Sequence, residues 1–248
     1  MNIEIFPLSE GVFTIGHDKV FHPFDTELHE LNDRPKGSLL VEIQPFLLKI
    51  DTEYILFDTG LGFNLPSGEL QIHHNLRKIG VDPLKINKVI LSHLHKDHAG
   101  GICYYNTLNI KELSFPNSTY YVNKKEFDFG IEKGYPSYTI DDFDLLKNSS
   151  QVEWLNDNGI INGLIEYSTT GGHCPYHLSF LVRGEYQTVF FGGDVAPQLK
   201  QLKTRYVAKY DFDGVKSMEL RQEYALKGKE ENWIFLFYHD VQHAIAHL

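Results

Sequence analysis

Three histidines and an aspartate fall within six residues, His93, His95, Asp97 and His98, in the run Ser92-His93-Leu94-His95-Lys96-Asp97-His98-Ala99-Gly100-Gly101. Neutral imidazole nitrogens and carboxylate oxygens are the ligands that zinc and similar divalent metals take. The run follows Lys88-Val89-Ile90-Leu91, a β-branched apolar stretch that reads as a buried strand. Side chains alternate along an extended chain, so His93 and His95 point the same way. Gly100-Gly101 then breaks the strand, and Asp97 and His98 turn in from a second direction. The spacing predicts two adjacent metal positions, one for the H-x-H pair and one for the D-H pair. A histidine-rich surface loop would need neither the apolar strand before it nor the glycines behind it.

The elements that must position this run are legible on both sides of it. Ile3–Phe6 and Val12–Ile15 read as strands around the turn Ser9-Glu10-Gly11, and Leu39–Ile43, Phe46–Ile50 and Tyr54–Phe57 follow as three more. The last of these ends in Asp58-Thr59-Gly60-Leu61-Gly62, where glycine allows a sharp turn and close backbone approach. Leu70–Ile79 has helical spacing and Gly80 as its cap. Thr119–Val122 reads as a strand and Lys124–Phe129 as the start of a helix. Ile165–Ser168, Leu178–Val182 and Gln187–Phe191 read as strands, Asp213 as the N-cap of a helix over Val215–Leu226 closed by Gly228, and Trp233–Phe237 as a buried strand. Residues 108–164 carry weak signals outside these elements.

Four apolar strands therefore each lead to a short loop with a potential ligand: the H-x-H-x-D-H run, His173, Asp194 and His239. Strand ends that converge on one sheet edge build a site. The elements fall into two similar halves, about 1–125 and 165–248, which predicts two packed sheets flanked by helices. His177 lies against its strand and reads as structural. Cys174, next to His173, is expected to point away as a small buried hydrophobe. Residues 16–37 show no period, and their histidines match no ligand spacing. This long aromatic stretch, with Phe21 and Phe24 in it, is expected to act as a lid over the metal site or as a homodimer contact, and to line an apolar pocket.

The chain has 248 residues, 42% hydrophobic and 23% charged, with Phe 17 and Tyr 14 and a formal net charge of −10. The acidic balance argues against nucleic acid and anionic membranes as partners and leaves a small-molecule substrate. Two cysteines, Cys103 and Cys174, build neither a disulfide framework nor a zinc ribbon. The N-terminus has no basic and apolar leader pattern, and no apolar run approaches a membrane span, so a cytoplasmic location is expected.

The whole chain resembles the metallo-β-lactamase fold superfamily. The motifs that carry the resemblance are Asp58-Thr59-Gly60, His93-Leu94-His95-Lys96-Asp97-His98, Gly172-His173, Gly193-Asp194 and Tyr238-His239. The resemblance implies a single domain over 1–248, an αββα four-layer sandwich with its site at one edge and an insertion at about 16–37. It implies that His93, His95 and His173 hold a first metal, that Asp97, His98 and His239 hold a second, and that Asp194 bridges them. Asp58 would orient the metal run from behind. The ions would be divalent, with zinc first and iron, manganese or cobalt as options.

The bridging residue is aspartate, where true β-lactamases carry cysteine or serine. Only nine residues follow His239, which disfavours the helical extension of glyoxalase II relatives, and the inserted domain and basic surfaces of RNA-processing members are lacking. The branch the chain most resembles is the N-acyl-homoserine lactone lactonases. Those carry a tyrosine soon after the bridging aspartate, and here Val195-Ala196-Pro197 stands instead. Tyr206 and Tyr210 are the two candidates for its role, and Arg205 and Lys209 are the basic residues expected nearest the site. The implied reaction is attack by a metal-bridging hydroxide on a lactone or ester carbonyl, with Asp97 steering the proton and a tyrosine hydroxyl assisting. The alternatives are phosphodiester or thioester hydrolysis and a non-hydrolytic iron redox protein on the same scaffold.

Overall fold

The computed structural model describes residues 1–248. Its strands, in chain order, are β1 (Ile3–Pro7), β2 (Gly11–Ile15), β3 (Phe21–Pro23), β4 (Leu39–Ile43), β5 (Phe46–Ile50), β6 (Glu53–Phe57), β7 (Lys88–Ile90), β8 (Cys103–Tyr105), β9 (Lys111–Leu113), β10 (Thr119–Asn123) and β11 (Val152–Leu155), followed by β12 (Asn158–Ile161), β13 (Ile165–Thr169), β14 (Leu178–Arg183), β15 (Thr188–Phe191), β16 (Trp233–Leu236) and β17 (Ile245–Ala246). The helices are α1 (Gln71–Lys78), α2 (Lys96–Ala99), α3 (Lys124–Lys133), α4 (Leu199–Leu202) and α5 (Gly214–Glu230).

Two six-stranded sheets carry the architecture, in the orders β1-β5-β6-β7-β10-β11 and β12-β13-β14-β15-β16-β17. Strand alternation assigns each residue to a layer. Phe46, Leu48, Ile55, Phe57 and Ile90 of the first sheet meet Phe180, Phe191 and Leu236 of the second in one buried core. Phe57 lies between Phe180 and Phe191, with ring centroids 5.6 and 5.4 Å away, edge to face. The intervening residues Leu47, Leu56 and Val89 face outward and pack with Ile72 and Leu76 of α1 and Phe127 of α3. On the far side, Phe190, Trp233 and Phe235 pack with Leu199 and Leu202 of α4 and with Tyr224 of α5. The order is helix, sheet, sheet, helix. Strands buried on both faces explain why the central segments are apolar without interruption. Removing a ring such as Phe57 would cost about 3–5 kcal/mol through lost burial and the cavity left behind.

Three local readings are revised. Gly228 does not close α5, which runs on to Glu230. A Cβ at Gly228 would come 2.2 Å from the Phe235 ring, so glycine there lets the helix lie against β16. After His95 the chain does not remain extended until the glycines; it turns at once into α2. Residues 16–37 are not wholly irregular, because β3 pairs with β2 in a small sheet with β4 and a single 3₁₀ turn spans Leu31–Asp33. In the weakly patterned region, β8 and β9 form a hairpin and β11 extends the first sheet. No helix is long and apolar enough to cross a membrane.

Candidate metal centre and active site

The loops after β7, β13, β15 and β16 meet at one edge of the two sheets and bring all seven candidate ligands together. His93, His95 and His173 form one group of facing ligand atoms, and Asp97, His98 and His239 form another. His95 Nδ1 lies 2.9 Å from His93 Nε2 and 3.0 Å from His173 Nε2. Asp194 stands between the groups. Its Oδ2 is 3.2 Å from His173 Nε2, and its Oδ1 is 3.1 Å from His98 Nε2 and 3.0 Å from His239 Nε2. Asp97 Oδ2 lies 3.6 Å from His239 Nε2 and 3.8 Å from His98 Nε2.

The far side of each ring decides what this arrangement can hold. His98 Nδ1 meets Asp58 Oδ2 at 2.7 Å, His173 Nδ1 meets Asp211 Oδ1 at 2.9 Å, and His239 Nδ1 meets the Glu42 carbonyl at 2.7 Å. The Ser92 hydroxyl donates to Asp58 Oδ2 and can accept from His93 Nδ1, 3.0 Å away. Each of these partners is an acceptor for an Nδ1–H. The neutral tautomer then turns the Nε2 lone pair towards the centre. His98 Nε2 and Asp194 Oδ1 are buried there without a hydrogen-bond partner. In that neutral form lone pairs face lone pairs and a carboxylate, a conflict that a divalent cation in each group would remove and that, without one, a proton on His98 relieves. The donor set, imidazole nitrogen with carboxylate oxygen, fits zinc and its neighbours.

Electrostatics separate the two groups. Burial, reinforced by the neighbouring imidazoles His98 and His95, holds His93 well below its ordinary pKa, and burial with His173 does the same for His95. Burial also opposes charge on His98, but Asp194, Asp97 and Asp58 together outweigh it and raise its pKa well above the ordinary value. Burial would raise Asp194 too, yet His239, His98 and His173 keep it ionised and well below the usual carboxylate range.

The backbone around the run is tightly fitted. Asp58 adopts φ +57°, a conformation that lets both carboxylate oxygens turn back onto Ser92 and His98. Gly62 at φ +72° presses against the Gly100 carbonyl, 2.1 Å from where a Cβ would stand, so the D-T-G-L-G turn and the metal run lie in direct contact. Tyr238 stacks on the His98 ring at 4.0 Å and donates to the Asp97 carbonyl at 2.6 Å. His177 is structural: it accepts from the Asp194 backbone N–H at 3.0 Å and pairs with Thr170.

A sequence profile of the metallo-beta-lactamase superfamily matches residues 42–239. The chain belongs to this superfamily. Among curated proteins it is similar to N-acyl homoserine lactonase AttM of Agrobacterium fabrum, 32% identical over 117 residues, which span 44% of this chain and 40% of AttM. It is also similar to N-acyl homoserine lactonase AiiB of the same organism, 29% identical over 83 residues, 26% of this chain and 30% of AiiB. The match thus spans well under half the length of these relatives. Solved structures share the metallo-beta-lactamase fold. A probable metal-dependent hydrolase from Staphylococcus aureus superposes with a TM-score of 0.79 at 18% identity, covering 98% of this chain and 91% of that one. The dizinc quorum-quenching lactonase AidC, bound to a homoserine product, superposes with a TM-score of 0.75 at 18% identity, covering 99% of this chain and 90% of that one.

Beside the seven candidate ligands lies a cavity of about 650 Å³. His95, Asp97, His173, Asp194 and His239 form its floor, and both Tyr206 and Tyr210 line it. Tyr210 is partly buried, its ring 6.2 Å from that of His173, and its hydroxyl accepts from Gln201 at 3.4 Å. Tyr206 is 40% exposed at the rim. Phe21 and Lys19 bring the 16–37 segment into the wall, while Phe24 packs on His29 outside it. Arg205 and Lys209 do not line the cavity; its basic residues are Lys19, Lys96, Lys133 and Lys200. Sequence reasoning missed Asp211 and the Glu42 carbonyl as ring partners, since neither sits in a motif.

Proposed function

We propose that this protein is a dinuclear metal-dependent hydrolase of a lactone or carboxylic ester. One observation carries the proposal: the Asp194 carboxylate stands between two sets of three ligands, its Oδ2 3.2 Å from His173 of one and its Oδ1 3.1 and 3.0 Å from His98 and His239 of the other. His93, His95 and His173 would hold one ion, Asp97, His98 and His239 the other, with Asp194 shared and zinc the preferred metal. Two such ions supply Lewis-acid polarisation of a carbonyl and an activated water at neutral pH. The chain's own residues do the rest. Asp97, which lines the cavity, would take a proton from the incoming water and pass it to the leaving alkoxide. Gln201 donates to the Tyr210 oxygen, which leaves the phenolic hydrogen free to donate to a developing oxyanion. Aromatic walls shed water from the substrate.

The N-acyl homoserine lactones named for the AttM relatives are the first substrates to assay. Phosphodiesters and thioesters complete the panel, together with metal analysis. Two ions per chain and turnover of a lactone or ester are expected. A replete protein holding one ion or none would sink the dinuclear reading, and fastest turnover of a phosphodiester would reassign the bond that is cut.

A further inference from the structure

Behind the first ligand group lies a carboxylate that the proposed chemistry does not use. Glu126, in the first turn of α3, is 1% exposed. Its Oε1 accepts from the Leu94 backbone N–H at 3.2 Å and from the Tyr138 hydroxyl at 2.9 Å, and its Oε2 accepts from Cys174 Sγ at 3.3 Å. Each partner is one step from a ligand of the same group. Leu94 is the residue between His93 and His95. Cys174 follows His173. The Tyr138 ring packs edge-on against His95, with centroids 4.8 Å apart, and lines the substrate cavity.

We infer that Glu126 is a positioning residue for the first metal group: one buried carboxylate ties together the H-x-H loop, the His173 loop and the aromatic that braces His95. The inference rests on the two-metal reading above. Three loops meet at one side chain, and all three of its partners are hydrogen donors, which a carboxylate can accept at once. A different carboxylate, Asp58, serves the second group. The rings of that group are held by Asp58 and the Glu42 carbonyl. The function of Glu126 therefore follows from acceptor geometry: losing the side chain strands a buried N–H and a buried phenol, frees both loops, and loosens one metal position more than the other. Cys174 is thereby a donor in this hub, and it acts as neither a nucleophile nor a ligand.

Zinc affinities of the purified full chain, measured by competition with a chromophoric chelator, test the inference. The visible spectrum of the cobalt-substituted protein reports the ligand geometry independently of turnover. Glu126→Ala is expected to weaken one of the two ions by about tenfold to a hundredfold and to leave the other within about threefold. Glu126→Gln should restore most of the affinity, because its carbonyl can still accept from Leu94 and Tyr138 while its amide turns to the sulfur. If Glu126→Ala does not fold, Tyr138→Phe combined with Cys174→Ala takes its place, with weakening of the same single ion expected. Unchanged affinity for both ions, or equal weakening of both, overturns the positioning role. A wild-type chain that binds no second ion overturns the two-metal reading instead, so the two failures are distinguishable.

Discussion

Asp58 and His98, forty residues apart, meet at 2.7 Å in a fully buried pair, and the same carboxylate holds the backbone N–H and the hydroxyl of Ser92. One side chain thus fixes both the entry to the metal run and the tautomer of its last histidine. Asp58→Asn offers an amide N–H to His98 Nδ1 or to Ser92, where an acceptor is required. The expected result is about a tenfold to hundredfold loss of affinity for the ion assigned to Asp97, His98 and His239, read by chelator competition. Equal affinities in wild type and variant would remove Asp58 from the argument.

Tyr206 and Tyr210 separate cleanly. Tyr210 sits against His173 with its hydroxyl fed by Gln201, whereas Tyr206 stands at the rim and its backbone carbonyl accepts from Arg221. Tyr210→Phe is expected to lower kcat by more than about tenfold with a smaller change in KM, and Tyr206→Phe to leave kcat within about twofold. Steady-state kinetics of both variants on one lactone decide it, and the reverse ranking would give the role to Tyr206.

The central strands and the H-x-H-x-D-H run were legible because their information is local. A strand buried on both faces is an uninterrupted apolar word, and ligands within six residues share one loop. What escaped is carried by tertiary approach. Asp211 reaches His173 across 38 residues, and Glu126 reaches Leu94 across 32. The partner of His239 is a main-chain carbonyl, which has no residue signature at all. Gly228 reads as a helix stop by type, and only the closeness of Phe235 gives it another purpose. The strand β3 was hidden because it is three residues long and mostly exposed.

Glu10 gives the metal-free protein a pH signature. Its carboxyl is buried beneath the D-T-G-L-G turn, where Oε2 accepts from the Leu61 N–H at 2.7 Å and Oε1 has no partner. Burial, with a further push from Asp97 and only partial relief from Leu61, raises its pKa from 4.5 to about 8. Below the ordinary value the group is neutral in both states. Above it the unfolded chain ionises while the folded chain keeps the proton, so stability falls as pH rises towards 8 and falls no further beyond it. The full span is on the order of 5 kcal/mol. Denaturant midpoints of metal-free wild type and Glu10→Gln between pH 5 and 8 should diverge, with the variant flatter. Parallel curves would place the proton elsewhere.

The cavity predicts how activity changes with substrate. Its walls carry Phe21, Leu40, Val41, Phe129, Tyr135 and Phe212 beyond the polar floor. A volume of about 650 Å³ exceeds what a bare lactone ring fills and leaves room for an acyl chain. Burying a methylene contributes about 0.8 kcal/mol, so kcat/KM can rise by at most about fourfold per added methylene. Along a series of acyl lactones from butanoyl to decanoyl, kcat/KM is expected to climb and then level off once the chain emerges at the rim. Phe21 lies in the stretch that joins the wall from outside the two main sheets, so Phe21→Ala should flatten the climb for long chains while leaving the shortest substrate within about twofold. A series flat from its first member, or one that Phe21→Ala lowers uniformly, would show that the acyl tail lies elsewhere.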